Sequence, residues 1–148
     1  MSYRPRPVSF SFSRAEYVVE RQALIIIDGR DFSTLEEFYR VIGRAIIGPE
    51  HSGSGNLDWL NDILSWPCGE EVAPYTLLWR HAEESRRRLS HAETVRQLEQ
   101  RKVRRFPFGD SKAVSDLDAA QRGEGPTVFD WLIEVIEGNG EYVKLQLE

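Results

Sequence analysis

The sequence is short of the residues that build reactive centres. It has a single cysteine, Cys68, so no internal disulfide can form, and a lone thiol fits a reducing compartment. Its three histidines, His51, His81 and His91, are scattered, and no Cys/His grouping has the spacing of a metal site. The Gly-Ser-Gly-Asn run at 53–56 lacks the rest of a phosphate-binding loop and follows no strand. Neither Ser52 nor Ser54 sits in a G-x-S-x-G elbow. These absences argue against a cofactor, a metal and an enzyme. Every apolar run falls far short of the roughly 20 residues a membrane helix needs. Behind Arg4 and Arg6 there is no apolar stretch of the signal-peptide kind, so the expected location is the cytoplasm. No internal repeat or low-complexity tract is visible.

What remains is the composition of one soluble globular domain. The 148 residues are 41% apolar and 29% charged, enough for a single core. A net charge of −5 argues against nucleic-acid binding by the whole surface and leaves room for a basic partner. The charge is unevenly placed. Arg86, Arg87, Arg88, Arg96, Arg101, Lys102, Arg104 and Arg105 face only Glu93 and Glu99 within their stretch, a local charge of +6 against −11 for the rest of the chain. This segment reads either as a solvated helix and loop or as a local RNA or phosphate patch. Phe106 and Phe108, beside Pro107, read more readily as pins for a loop than as base-stacking groups.

Periodicity divides the chain into strands and helices. Residues 1–22 hold two prolines and a short alternation at Val8, Phe10 and Phe12, an arm or an extra edge strand. The run ALIIIDG at 23–29 reads as a buried strand closed by an Asp-Gly turn. A helix follows from Leu35, with Ser33/Glu36 or Thr34/Glu37 as its capping box and Gly48-Pro49 beyond its end. YTLLWR at 75–80 is a strand. Residues 81–98 are helical with a break at Ser90, where Ser90 and Glu93 form another capping box. Residues 101–112 read as a basic loop and 114–122 as a weaker helix. A helix capped by Thr127 runs to Gly138, and EYVKLQL at 141–147 is the last strand. Strands separated by helices imply crossovers, hence a small, mainly parallel α/β sheet covered by helices.

The stretch GNLDWLNDILSW at 55–66 reads as a helix with two faces. At about 100° per residue, Leu57, Trp59, Leu60, Ile63, Leu64 and Trp66 share one half of the wheel, and Asp58, Asn61, Asp62 and Ser65 the other. Both tryptophans are therefore expected to pack on the core. Asn56 is the N-cap, and Asp58 lies near the positive end of the helix dipole. Asp58 and Asp62 are four apart with nothing basic between them, a spacing that costs a few tenths of a kcal/mol. On an exposed face they lack the burial that would make them an acid/base pair. From spacing alone they are a solvated face.

Taken in order, LIIIDGRDFSTLEEFYRVIGRAI, GNLDWLNDIL, YTLLWR, VFDWLIEVI and YVKLQL resemble the barstar family of ribonuclease inhibitors. The segments TVRQLE and RGEGPTVFDWL are similar to its longer, actinobacterial-type members. The resemblance implies a three-stranded parallel sheet packed by helices. It also implies a domain over 23–148 with a helical, basic insertion at about 85–125. It implies a non-enzymatic, stoichiometric inhibitor of a basic, barnase-like microbial ribonuclease, an immunity protein that is a monomer when free. Membranes and nucleic acid are not expected as primary partners. Carried over by position, Asp58 and Asp62 match the acidic contacts of the family's inhibitory helix, Asn56 its cap, and Asn61 a position held by tryptophan in the prototype. Ser54 and Gly55 belong to the plugging loop, and Glu134 matches a further acidic contact on the last helix. One departure is plain. The family usually has a Tyr-Phe-Gly or Tyr-Tyr-Gly run before this helix, and Ser52, Gly53 and Ser54 stand in its place, so a looser loop is expected. The rival readings are a module of this fold with a target that is not a ribonuclease, and an RNA-associated protein working through residues 86–105.

Overall fold

The computed structural model describes residues 23–51, 54–68, 74–105 and 111–148. The arm expected at 1–22, the Ser52–Gly53 pair, and Phe106 and Phe108 lie outside the described residues, as do the side chains of Lys102, Arg104 and Arg105.

β1 (Leu24–Asp28), β2 (Tyr75–Arg80) and β3 (Val143–Leu147) form one parallel sheet in the order β1-β2-β3. The register sets Ile27 beside Trp79, and Trp79 beside Leu147. Between β1 and β2 lie α1 (Leu35–Ile46), α2 (Leu57–Ile63) and a 3-10 turn, Trp66–Cys68. Between β2 and β3 lie α3 (Ala82–Arg88), α4 (His91–Arg105), α5 (Ser111–Gln121) and α6 (Val128–Glu137). This is the α/β, barstar-like arrangement expected. Among the described residues, no helix is long and apolar enough to cross a membrane.

Alternation along the strands builds the core. Tyr75, Leu77 and Trp79 point to one face and are buried, together with Ile27 and Val143. α1 covers them with Phe38 and Ile42, α2 with Leu60 and Ile63, and α6 with Phe129, Leu132 and Ile136. Trp79 is the centre: its ring stacks on Phe38 at 5.5 Å and meets Phe129 at 5.2 Å. Its indole N–H donates to the buried Ser85 hydroxyl at 2.9 Å, so the large ring leaves no orphan donor. β1 is less buried than its continuous apolar run suggests. It is an edge strand, and Leu24 and Ile26 face away from the helices, 58% and 50% exposed.

The helix termini show where local chemistry sets the cap and where tertiary contacts take over. Thr34 caps α1, accepting from the Glu37 N–H, and Thr127 closes a full capping box with Asp130 on α6. The Glu37 carboxylate, however, accepts from the Ser33 N–H rather than returning to Thr34. Glu93 does not serve a box with Ser90. Its buried carboxylate takes the Leu35 N–H of α1 at 2.9 Å, 58 residues away in sequence. Arg96 and Gln97 also donate to Glu93, and both reach Glu36. Burial would raise the Glu36 pKa, but these donors hold it below the usual carboxylate range. This network fastens α4 to the N-terminus of α1.

Two expected boundaries move. Residues 101–105 continue α4 instead of forming a loop, and the next helix begins at Ser111. α4 and α5 pack together through Leu98, Leu117 and Ala120, with Val95 and Trp131 against them. That second, smaller core gives this arginine-rich helix something to fold on.

Candidate functional site

α2 is a short helix whose two faces have separate jobs. Asn56 is extended, and its side-chain oxygen accepts the Trp59 N–H at 2.8 Å, which fixes the first turn. Leu60, Ile63 and Leu64 are fully buried and lock the helix to the core and to α6. Asp58, Asn61 and Asp62 are left exposed on the outer face. Among the described residues, neither aspartate carboxylate makes an ion pair or a hydrogen bond.

Asn61 is only partly free. Its side-chain oxygen accepts from Asn139 Nδ2 at 2.8 Å, and the same Nδ2 donates to the Val135 carbonyl at 2.8 Å. This clamp ties the outer face of α2 to the turn after α6. Glu134, on α6, is exposed, and its carboxylate has no partner among the described residues. It lines a cleft of about 360 Å³ with Leu57, Arg101, Trp131 and Val135. α2 and α6 are therefore neighbours, and the expected acidic contacts lie on adjoining elements.

The sequence reading missed the extent of this acidic region. Glu137 and Glu141, on and just after α6, are also exposed and unpaired among the described residues. The signal was present: residues 45–79 hold five acids and no Lys or Arg, and residues 123–143 hold the same. The fold packs the helices of these two stretches together. Such a surface accepts hydrogen bonds and attracts cations but offers no buried acid/base pairing.

The approach to α2 is built on rings. Trp59 is half-buried, its ring perpendicular to that of Tyr39 at 5.8 Å and stacked on His51 at 5.1 Å and 10°. His51 Nε2 lies 3.3 Å from the Ser54 carbonyl oxygen. Gly55 lies against the Trp59 ring, where a Cβ would come within 2.5 Å of it. Trp66 departs from expectation. Since α2 ends at Ile63 and the chain tightens into the 3-10 turn, the Trp66 indole is 56% exposed instead of packing on the core.

The basic segment is built differently. Arg86 pairs with Glu83 and lies over the Phe129 ring at 4.5 Å. Arg87 and Arg88 pair with Glu84, and Arg88 also donates to the Arg30 and Phe32 carbonyls. Arg96 holds Glu36 and Glu93, and Arg101 lies over Trp131 at 5.0 Å. Each of the five arginines with a described side chain has an internal partner.

Two other groups have structural explanations. Asp28, at the end of β1, accepts from the Arg30 side chain and backbone and lies 3.1 Å from His81 Nδ1. The Arg30 hydrogen bonds hold its carboxyl well below the usual range. Together they pin the two strand-end turns, including His81 in a left-handed conformation (φ 56). Cys68 is buried and donates to the Tyr142 carbonyl oxygen at 3.3 Å. Burial pushes its thiol pKa up, away from nucleophilic use.

No curated protein matches the chain. A family model described as Barstar (barnase inhibitor) matches residues 22–108, more than half of the chain. The match takes in β1 to α4, with Ser54, Gly55, Asn56, Asp58, Asn61 and Asp62; Glu134 lies beyond it. With the parallel three-stranded sheet and its helical cover, this places the chain in the barstar family.

Proposed function

We propose that the protein is a stoichiometric inhibitor of a basic, barnase-like microbial ribonuclease, and that it docks through α2 and the loop before it. The observation that carries this is the outer face of α2. Asp58 and Asp62 repel each other in the free protein, and no described cation relieves them. A ribonuclease active site is cationic because it binds RNA phosphates, so it supplies the missing partners. The cost in the free protein is tenths of a kcal/mol, whereas close charge pairs across an interface couple by about 1.5–7 kcal/mol, a range measured on barnase–barstar itself. Glu134, Glu137 and Glu141 extend the acidic field and favour fast association with a basic partner.

In this mechanism Asn56 presents α2, Leu60 and Ile63 anchor it, and the two aspartates occupy phosphate positions of the enzyme. Asn61 keeps α2 registered on α6. The function is non-enzymatic and protective. The inserted helices and their basic stretch serve the protein's own architecture, since their described arginines are already paired.

The test is a titration. Increasing amounts of the purified protein are added to a fixed concentration of a purified barnase-type ribonuclease, and RNA cleavage is followed. The expected result is a linear fall to zero at one equivalent. Undiminished cleavage with excess protein would turn the reading toward a module of this fold with a different target.

A further inference from the structure

The loop leading to α2 lacks the aromatic run usual in the family, yet two rings stand at its ends. His51 comes from the chain after α1 and Trp59 from the first turn of α2, and their planes stack within 10°. A glycine closes each side of the pair. On one side is Gly43 of α1, where a Cβ would fall 2.3 Å from His51 Cδ2. On the other is Gly55, where a Cβ would fall 2.5 Å from Trp59 Cε3. Only glycine lets the rings seat directly on both backbones. His51 Nε2 also reaches across to the Ser54 carbonyl oxygen at 3.3 Å. The ring therefore touches α1, α2 and the residue that begins the approach to the Asn56 cap.

We infer that His51, stacked on Trp59 between Gly43 and Gly55, is a positioning residue that holds Ser54, Gly55 and the first turn of α2 in place before the partner arrives. This deepens the inhibitor reading and rests on it. If Ser54, Gly55 and the first turn of α2 were ordered only at the encounter, the binding-competent fraction of the free protein would be smaller, and apparent affinity falls by that fraction. An internal two-ring stack does the ordering that aromatic loop residues would otherwise do on burial in the interface. The ring supplies the plane, and Nε2 supplies the link to Ser54.

The experiment compares the intact protein with His51→Phe, His51→Gln and His51→Ala, using a purified barnase-type ribonuclease as the probe. Association and dissociation rates are recorded, with melting temperatures in parallel. Phe keeps the ring without the polar link, Gln keeps a donor without the ring, and Ala removes both. The expected result is affinity about tenfold lower for Ala, mostly through slower association, and within about threefold of the intact protein for Phe. Gln is expected to fall between them. Equal affinities for all four proteins, or Phe as weak as Ala, would overturn the inference while leaving the inhibitor reading intact. Failure of the intact protein itself to inhibit would overturn the inhibitor reading, and the inference with it. If Ala does not fold, the Phe-to-Gln comparison decides: Gln weaker than Phe supports the stack, and Phe equal to or weaker than Gln contradicts it.

Discussion

The acidic α2–α6 side and the basic α3–α4 side are built on opposite principles. Arg86, Arg87, Arg88, Arg96 and Arg101 each touch a carboxylate, a backbone carbonyl or an aromatic ring of the same molecule. The carboxylates of Asp58, Asp62, Glu134, Glu137 and Glu141 make no hydrogen bond or ion pair within the described residues. Similar densities of charge thus carry different meanings. A charge with an internal partner contributes to folding, while an unpaired one on a rigid element stays open to a partner outside, as the proposed inhibition requires. Sequence shows how many charges a segment holds; pairing separates the two uses.

The largest effect should come from breaking the acidic side. Asp62→Ala is expected to weaken the complex with a barnase-type ribonuclease by about 3–5 kcal/mol, mainly through faster dissociation, with free-protein stability unchanged within about 0.5 kcal/mol. Urea melts alongside the rate measurements check both halves, and an unfolded free variant would show that the aspartate is structural. On the basic side the pattern should reverse. Glu93→Ala leaves the Leu35 N–H and the Arg96 guanidinium without their buried acceptor. It should cost about 2 kcal/mol of stability by urea denaturation while leaving affinity of the folded fraction nearly unchanged.

Those two substitutions also mark what the sequence made legible. The strand and helix order could be read because each segment carries its own period and stop signals, as in YTLLWR and in the Thr127 cap. Asn56, Asp58 and Asp62 could be read because a helix wheel and an N-cap are local. Glu93 could not, because its partner is the far end of α1. Trp66 could not, because the wheel assumes a helix that the chain abandons after Ile63. The continuation of α4 through residues 101–105 was hidden as well: RKVRR has one apolar residue, and the helix that leads into it packs through Val95 and Leu98 against α5 and Trp131.

Smaller effects sharpen the contrast. Trp66→Ala, in the turn that follows α2 and 56% exposed, should weaken binding by about 1 kcal/mol with little change in stability. The difference in fluorescence quenching between the intact protein and Trp66→Ala, free and bound, reads the same side chain independently. Replacing Arg104 and Arg105 with glutamine should leave inhibition unchanged within about 0.5 kcal/mol, and gel shifts at two salt concentrations should show no steep, salt-sensitive RNA binding for those changes to flatten. At low pH the Asp28 turn is the sensitive point. Its carboxyl is held below the ordinary value, so its contribution is present above about pH 4 and lost as the pH falls. Asp28→Asn should flatten the acid limb of a stability profile recorded between about pH 2 and pH 7.

The most direct measurement is a double-mutant cycle. Asp58 and Asp62 are each replaced by alanine, a cationic active-site residue of a barnase-type ribonuclease is replaced by alanine in turn, and dissociation constants are taken for every combination at two salt concentrations. Unpaired carboxylates waiting for a cationic pocket predict a coupling energy of at least about 1.5 kcal/mol for one pair, shrinking as salt rises. Additive effects for every pair, with no salt dependence, would contradict it and return the acidic face of α2 to an ordinary solvated surface.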